Sequence, residues 1–134
     1  LQEGDLRLLT VDNPLVIPAN KNIQILISAG DVLHSWAVPS MGIKTDAVPG
    51  RLNETWVNVK EPGTYRGQCS EICGSGHGFM PVVVKVLPEK EFVAWANEAK
   101  NNYAINEDIN LNENSDDEII VSENKILKLE ENKL

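Results

Sequence analysis

The sequence predicts an all-β sandwich or barrel of antiparallel, Greek-key strands with one helix near its C-terminal side. Three observations point there. The apolar runs are short and rich in Val, Ile and Thr. Turn-forming residues recur about every 8–12 positions, the rhythm of a small β domain. Only one segment carries a helical apolar stripe, at Phe92, Trp95, Ala96 and Ala99.

Taken in order, LRLLTV at 6–11 reads as a first strand, closed by the turn signal Asp12-Asn13-Pro14. A short apolar run at 15–17 follows and ends at Pro18 and Asn20. IQILIS at 23–28 alternates, with Ile23, Ile25 and Ile27 on one face. Further strands are expected at 32–38, 43–48, 55–60, 64–68 and 80–87, separated by Gly30, Pro39, Gly42, Pro49-Gly50 and Pro62-Gly63. Trp56 and Asn58 alternate with Thr55, Val57 and Val59, which gives that strand one wet and one dry face. After Pro88, residues 89–100 form the helix, with Glu89 and Glu91 at its positive end and Lys100 at its negative end.

Size and charge narrow the function. At 134 residues the chain suits one domain plus a surplus. The net charge of −8 argues against nucleic acid, whose phosphates require a basic face. No run approaches the ~20 apolar residues of a membrane span. Beginning at Leu1, without an initiator Met or a signal-peptide pattern, the chain is expected to be processed or a fragment. The expected division is a folded domain at 1–100 and an acidic, Asn-rich tail at 101–134. That tail holds nine acidic residues, three Lys and eight Asn, with no Gly or Pro. It has too few large apolar residues for a core, although 125–133 has the makings of a short helix.

Chemistry concentrates at 68–81, QCSEICGSGHGFMP. Cys69, Cys73 and His77 recur every four residues and Met80 follows three later, while His34 lies in a predicted strand. Both cysteines and both histidines of the chain are thus available to one site, with a thioether beside them. Such soft and borderline donors select copper, zinc or iron–sulfur over magnesium or calcium. A helix is disfavoured beyond Cys73, because Gly74, Gly76 and Gly78 would each cost about 1 kcal/mol relative to Ala. A loop wrapped closely around an ion suits them better.

Plainer readings exist for each group. The cysteines are compatible with a disulfide in an oxidising compartment, which leaves His77 and Met80 without a role. A structural Cys₂His₂ zinc site uses both histidines but not Met80. A blue-copper centre takes two His, one Cys and an axial Met, and here there is one thiolate too many. Two thiolates can instead bridge two coppers, each capped by one histidine. Sharing one electron over both metals then keeps the geometric change on reduction small.

Three strings, DVLHSWAVP at 31–39, KTDAVPGRL at 44–52 and GQCSEICG at 67–74 with HGFMP at 77–81, closely resemble cytochrome c oxidase subunit II over roughly residues 3–100. The resemblance implies a cupredoxin-like fold and a dicopper (CuA) centre that takes electrons from cytochrome c and passes them to haem in subunit I, where oxygen is reduced. By position, Cys69 and Cys73 would bridge the coppers, His34 and Met80 would complete one, and His77 with the backbone carbonyl of Glu71 the other. The Glu71 carboxylate would reach a magnesium ion shared with subunit I, a hard ligand for a hard ion. Asp12, Asp31 and Gln68 would lie on the cytochrome c face, and Asp46 and Arg51 would face subunit I. For Asp12 a turn-forming role, and for Asp46 and Arg51 a surface salt bridge, are the plainer readings.

The chain departs from the family's pattern in lacking the two transmembrane helices and the aromatic-rich segment that precede this domain. Either the chain is an engineered soluble domain or the subunit is divided; the expectation is a split subunit II, with a separate chain supplying the membrane hairpin and the aromatic patch. The implied location is the intermembrane-space side of the mitochondrial inner membrane, or alternatively the periplasmic side of a bacterial plasma membrane. The Trp-Ala-Val-Pro and Pro-Gly-Arg strings favour the oxidase over the related dicopper domain of nitrous oxide reductase. A zinc- or disulfide-stapled binding domain is the alternative from another class.

Overall fold

A computed structural model describes residues 4–103. Seven strands and one helix run in the order β1 (Leu15–Pro18), β2 (Ile23–Ile27), β3 (His34–Val38), β4 (Ile43–Ala47), β5 (Asn53–Val57), β6 (Gly63–Gln68), β7 (Pro81–Leu87) and α1 (Glu89–Tyr103). The strands pair as β1-β7-β6, β2-β5 and β3-β4.

The alternation read from the sequence becomes a core. Ile23 and Ile25 lie opposite Val57 and Thr55 across the antiparallel β2-β5 pair, and Ile23, Ile25 and Val57 join the central cluster of Ile17, Val38, Ile43, Val59, Val84 and Val86. Trp56, on the other face, is 63% exposed. Strand β7 lies between β1 and β6, and its Val84 is completely buried. Burying such a side chain contributes about 1.5–3 kcal/mol. Its β-branched sequence, PVVVKVL, fits a central strand covered on both sides. Helix α1 packs on β1 and β7 through a half-buried stripe that includes Phe92, Trp95, Ala96 and Ala99. Lys21 holds Glu89 at the start of α1 at 3.1 Å.

Two expectations about the strands fail. Residues 6–11 form turns, not a strand. The Leu6 N–H donates to Thr10 Oγ1, the Leu9 N–H donates to the Leu6 carbonyl, and Leu8 adopts a φ of 62°. Local bonds from Thr10 thus satisfy the backbone in place of a ladder. The sheet is also not wholly antiparallel, because β1 runs parallel to β7 with Leu15 opposite Val84. The intervening chain is the whole barrel rather than a hairpin, so no tight turn dictates the direction.

Elsewhere the differences are small. Strand β3 begins only at His34, leaving Val32 and Leu33 exposed before it. Helix α1 continues three residues past 100, in keeping with the absence of Gly or Pro to stop it. The rest of the expected acidic tail, from 104 on, lies outside the described residues. No helix among the described residues is long and apolar enough to cross a membrane.

Candidate metal centre

Strands β6 and β7 are antiparallel neighbours, with Gln68 opposite Pro81, so residues 69–80 form the connection at one end of this pair. The Cys69 N–H donates to the Met80 carbonyl at 2.9 Å and pins the base of the loop. Inside it, Gly74 adopts a φ of 123°, which L side chains rarely tolerate, and a 3₁₀ turn spans His77–Phe79. The loop expected from the three glycines is therefore present.

The remaining donor comes from β3. Gly67, two residues before Cys69, lies so close to β3 that a Cβ there would stand 1.7 Å from the Ala37 carbonyl oxygen. Only glycine permits this approach. The Ser70 N–H then donates to the Ser35 carbonyl at 3.1 Å, tying the start of the loop to the residue after His34. As a result His34 Nδ1 lies 3.8 Å from Cys69 Sγ.

The other groups converge on the same place. The two Sγ atoms are 3.9 Å apart and both thiols are free. That separation is about twice a disulfide length, yet both sulfurs can reach one ion at roughly 2.3 Å. Cys73 Sγ lies 3.5 Å from His77 Nδ1 and 3.4 Å from Met80 Sδ. The Glu71 carbonyl oxygen lies 3.3 Å from Cys69 Sγ. The metal-ligating atoms of His34, Cys69 and Cys73 all fall within 4.8 Å of one another. Half-buried thiols beside imidazole nitrogens form a soft donor set suited to copper.

Hydrogen bonding polarises these groups. Asp31 Oδ1 lies 2.8 Å from His34 Nε2. This contact holds the imidazole above its ordinary value and, seen from the other side, holds the carboxyl below its own. Burial pushes the Cys69 thiol up, but hydrogen bonds from the backbone of Glu71 and Ser35 and from the two histidines outweigh it, and the thiol sits at about 6. Burial raises the Cys73 thiol, and the neighbouring Cys69 thiolate raises it further. In the reduced, metal-free chain the first proton is therefore lost near pH 6 and the charge stays mostly on Cys69. Iodoacetamide at pH 7 is expected to label Cys69 well before Cys73, with a rate that rises through pH 6 and then levels off, while Cys73 requires alkaline pH. Peptide mapping by mass spectrometry reads this directly, and equal labelling of the two at pH 7 would contradict it.

Residues 1–87 match the family of cytochrome c oxidase subunit II, periplasmic domain. The chain belongs to that family. It is similar to the crystal structure of the periplasmic domain of subunit II of cytochrome oxidase of Bradyrhizobium japonicum, with 47% identity and a TM-score of 0.74, covering 78% of this chain and 75% of that one. A second similar structure is a subunit II of cytochrome c oxidase caught in a mixed disulfide with the thioredoxin-like TlpA, at 47% identity and a TM-score of 0.66, covering 75% of each chain. A haem–copper terminal oxidase dimer matches at 27% identity and a TM-score of 0.52, over 55% of this chain and 50% of that one. The cupredoxin-like fold expected from the sequence is thereby shown, and so is the place of this domain as a component of a haem–copper oxidase.

Within this subunit II domain the other sequence-selected residues are spread out. Asp31 contacts the centre through His34. Gln68 is exposed at the end of β6, and its carbonyl accepts the Ser70 hydroxyl. Asp12 accepts the Asn13 N–H in its own turn and lines a cavity of about 570 Å³ beside Lys85, Leu87 and Trp95, at the far end of β7 from the ligand loop. Asp46 is exposed on β4, opposite the buried Ser35, and its carbonyl accepts Asn53 Nδ2. Arg51 follows the Gly50 turn, and its N–H donates to the Val48 carbonyl. Neither Asp46 nor Arg51 makes an ion pair among the described residues. Sequence reasoning missed Gly67, whose neighbour across the barrel cannot be read from the chain, and it missed the contact of Asp31 with His34, for which the Asp-x-x-His spacing was the available signal.

Proposed function

We propose that this domain carries the dicopper centre of a cytochrome c oxidase and relays single electrons from cytochrome c to the haem of subunit I. The observation behind this reading is the convergence of two thiols, two imidazoles, a thioether and a backbone carbonyl at one end of a rigid barrel, in a member of the subunit II family. Cys69 and Cys73 would hold both ions, with His34 and Met80 completing the ligands of one and His77 and the Glu71 carbonyl those of the other. Bound there, copper supplies a one-electron carrier. The protein's part is to keep donor positions fixed between oxidation states, and the Cys69–Met80 and Ser70–Ser35 backbone bonds anchor the loop for that task.

Leu33, Ile72 and Phe79 each precede a ligand in the sequence and are 49%, 75% and 67% exposed. They give a docking protein an apolar contact close to the metals, with Asp31 and Gln68 at its side to meet a basic partner and Asp12 further off to steer it. Asp46 and Arg51 face subunit I, where the Glu71 carboxylate offers a hard oxygen to magnesium. The domain works on the periplasmic side of the membrane, or on the equivalent intermembrane-space side. Two thiols this close are readily oxidised to a disulfide, which would have to be reduced before metal binds, and a thioredoxin-like protein such as the one bound to the relative described above fits that need.

Metal analysis with a visible and near-infrared spectrum tests the reading. Two coppers per chain and a purple mixed-valence colour are expected. One copper with a blue colour, or a colourless zinc or disulfide form, would overturn it. Met80→Leu is expected to retain copper and to raise the reduction potential, because losing an axial donor disfavours the oxidised state. A tenfold change in the redox equilibrium, on the order of 59 mV for one electron, is the scale to look for by spectroelectrochemistry. An unchanged potential would remove Met80 from the site.

A further inference from the structure

The two histidines of the centre are held differently. His34 Nε2 lies 2.8 Å from Asp31 Oδ1 while its Nδ1 faces Cys69 Sγ. His77 turns Nδ1 toward Cys73, and among the described residues nothing hydrogen-bonds its Nε2. A carboxylate on the outer nitrogen of a ligating imidazole fixes the tautomer, orients the ring and raises its basicity. Asp31 is itself largely exposed, its side chain 73% accessible against 18% for His34. It therefore acts from outside the pocket, on one ring only.

We propose that Asp31 is a positioning residue for the metal centre: its carboxylate accepts the Nε2–H of His34, keeps the Nδ1 lone pair directed at the metal, and makes the His34 half of the site the more electron-rich one. This rests on the dicopper reading above and adds an asymmetry to it. Asp31 lies in the turn before β3, and its grip on the imidazole is set by the three-residue spacing to His34, where the strand begins. A more basic imidazole stabilises the oxidised state, so the carboxylate lowers the reduction potential and strengthens retention of the copper on that side.

The test compares wild type, Asp31→Ala, Asp31→Asn and Asp31→Glu after loading with copper, with Glu98→Ala on the exposed face of α1 as a control for lost charge. The readouts are the reduction potential, copper affinity, the copper hyperfine pattern in electron paramagnetic resonance, and solvent exchange of the His34 Nε2 proton in ¹⁵N-histidine-labelled oxidised protein. Asp31→Ala is expected to weaken copper binding about 10- to 100-fold, raise the potential and accelerate exchange of the His34 proton while leaving His77 unaffected. Asp31→Asn, which keeps the size and removes the charge, is expected to follow in the same direction. Asp31→Glu is expected to restore part of each property, and Glu98→Ala to change none. Far-UV circular dichroism verifies the fold of each variant. Asp31→Ala and Asp31→Asn that both retain wild-type potential, affinity and proton exchange overturn this inference and leave the dicopper reading standing. A wild-type chain without the mixed-valence signature overturns both.

Discussion

Replacing either thiol by a hydroxyl, in Cys69→Ser or Cys73→Ser, is expected to abolish the mixed-valence spectrum and reduce copper from two ions to at most one per chain. The two Sγ atoms lie 3.9 Å apart, with His34 Nδ1 beside one and His77 Nδ1 beside the other. Cys69 Sγ also adjoins the Glu71 carbonyl and Cys73 Sγ adjoins Met80 Sδ, so each sulfur touches both halves of the donor set. A serine hydroxyl is a hard donor that keeps its proton at neutral pH, so it cannot replace a bridging thiolate. The loss is all-or-none because neither half is complete without both sulfurs. Retention of two coppers in either variant, measured by metal analysis, would rule out bridging.

The second large effect is structural. Gly67→Ala is expected to destabilise the domain by about 3 kcal/mol or more, beyond the usual range for overpacking, because the added Cβ would stand 1.7 Å from a backbone carbonyl oxygen. For a domain of this size that corresponds to a drop in Tm of roughly 12 °C or more. The obstructing atom belongs to Ala37, in the strand that begins at His34, so β3 can yield only by moving away from β6. Copper affinity should fall together with Tm. A Gly67→Ala variant with wild-type melting behaviour would show that the two strands have room to separate.

The gathering of these side chains in one loop was legible from the chain because Cys69, Glu71, Cys73, His77 and Met80 lie within twelve consecutive residues, and three glycines exclude a long helix there. Strand faces were legible wherever polar and apolar residues alternate, as at Ile23, Ile25 and Ile27 or at Trp56 and Val57. The apolar stripe of α1 was equally plain. The failures have physical causes. At 6–11 the strand propensity of Leu and Val lost to local bonds from Thr10 and to the left-handed Leu8. The parallel pairing of β1 with β7 is a decision of the whole fold, invisible in either segment alone. Asp31 reads as surface charge until β3 places the His34 ring against it, and Gly67 reads as one more glycine until Ala37 arrives.

The position of β7 also governs the order of events in biogenesis. Leu15 pairs with Val84, 69 residues later in the chain, so at synthesis rates of about 5–20 residues per second the N-terminal strand waits roughly 3–14 s for its neighbour. Pro81, where the donor loop ends, opens that same late strand. Cys69 and Cys73 are made 15 and 11 residues before Val84, so both sulfhydryls precede it by only about 0.5–3 s, before the pocket that would hold them exists. Metal loading of this site would therefore be a step performed on the finished domain.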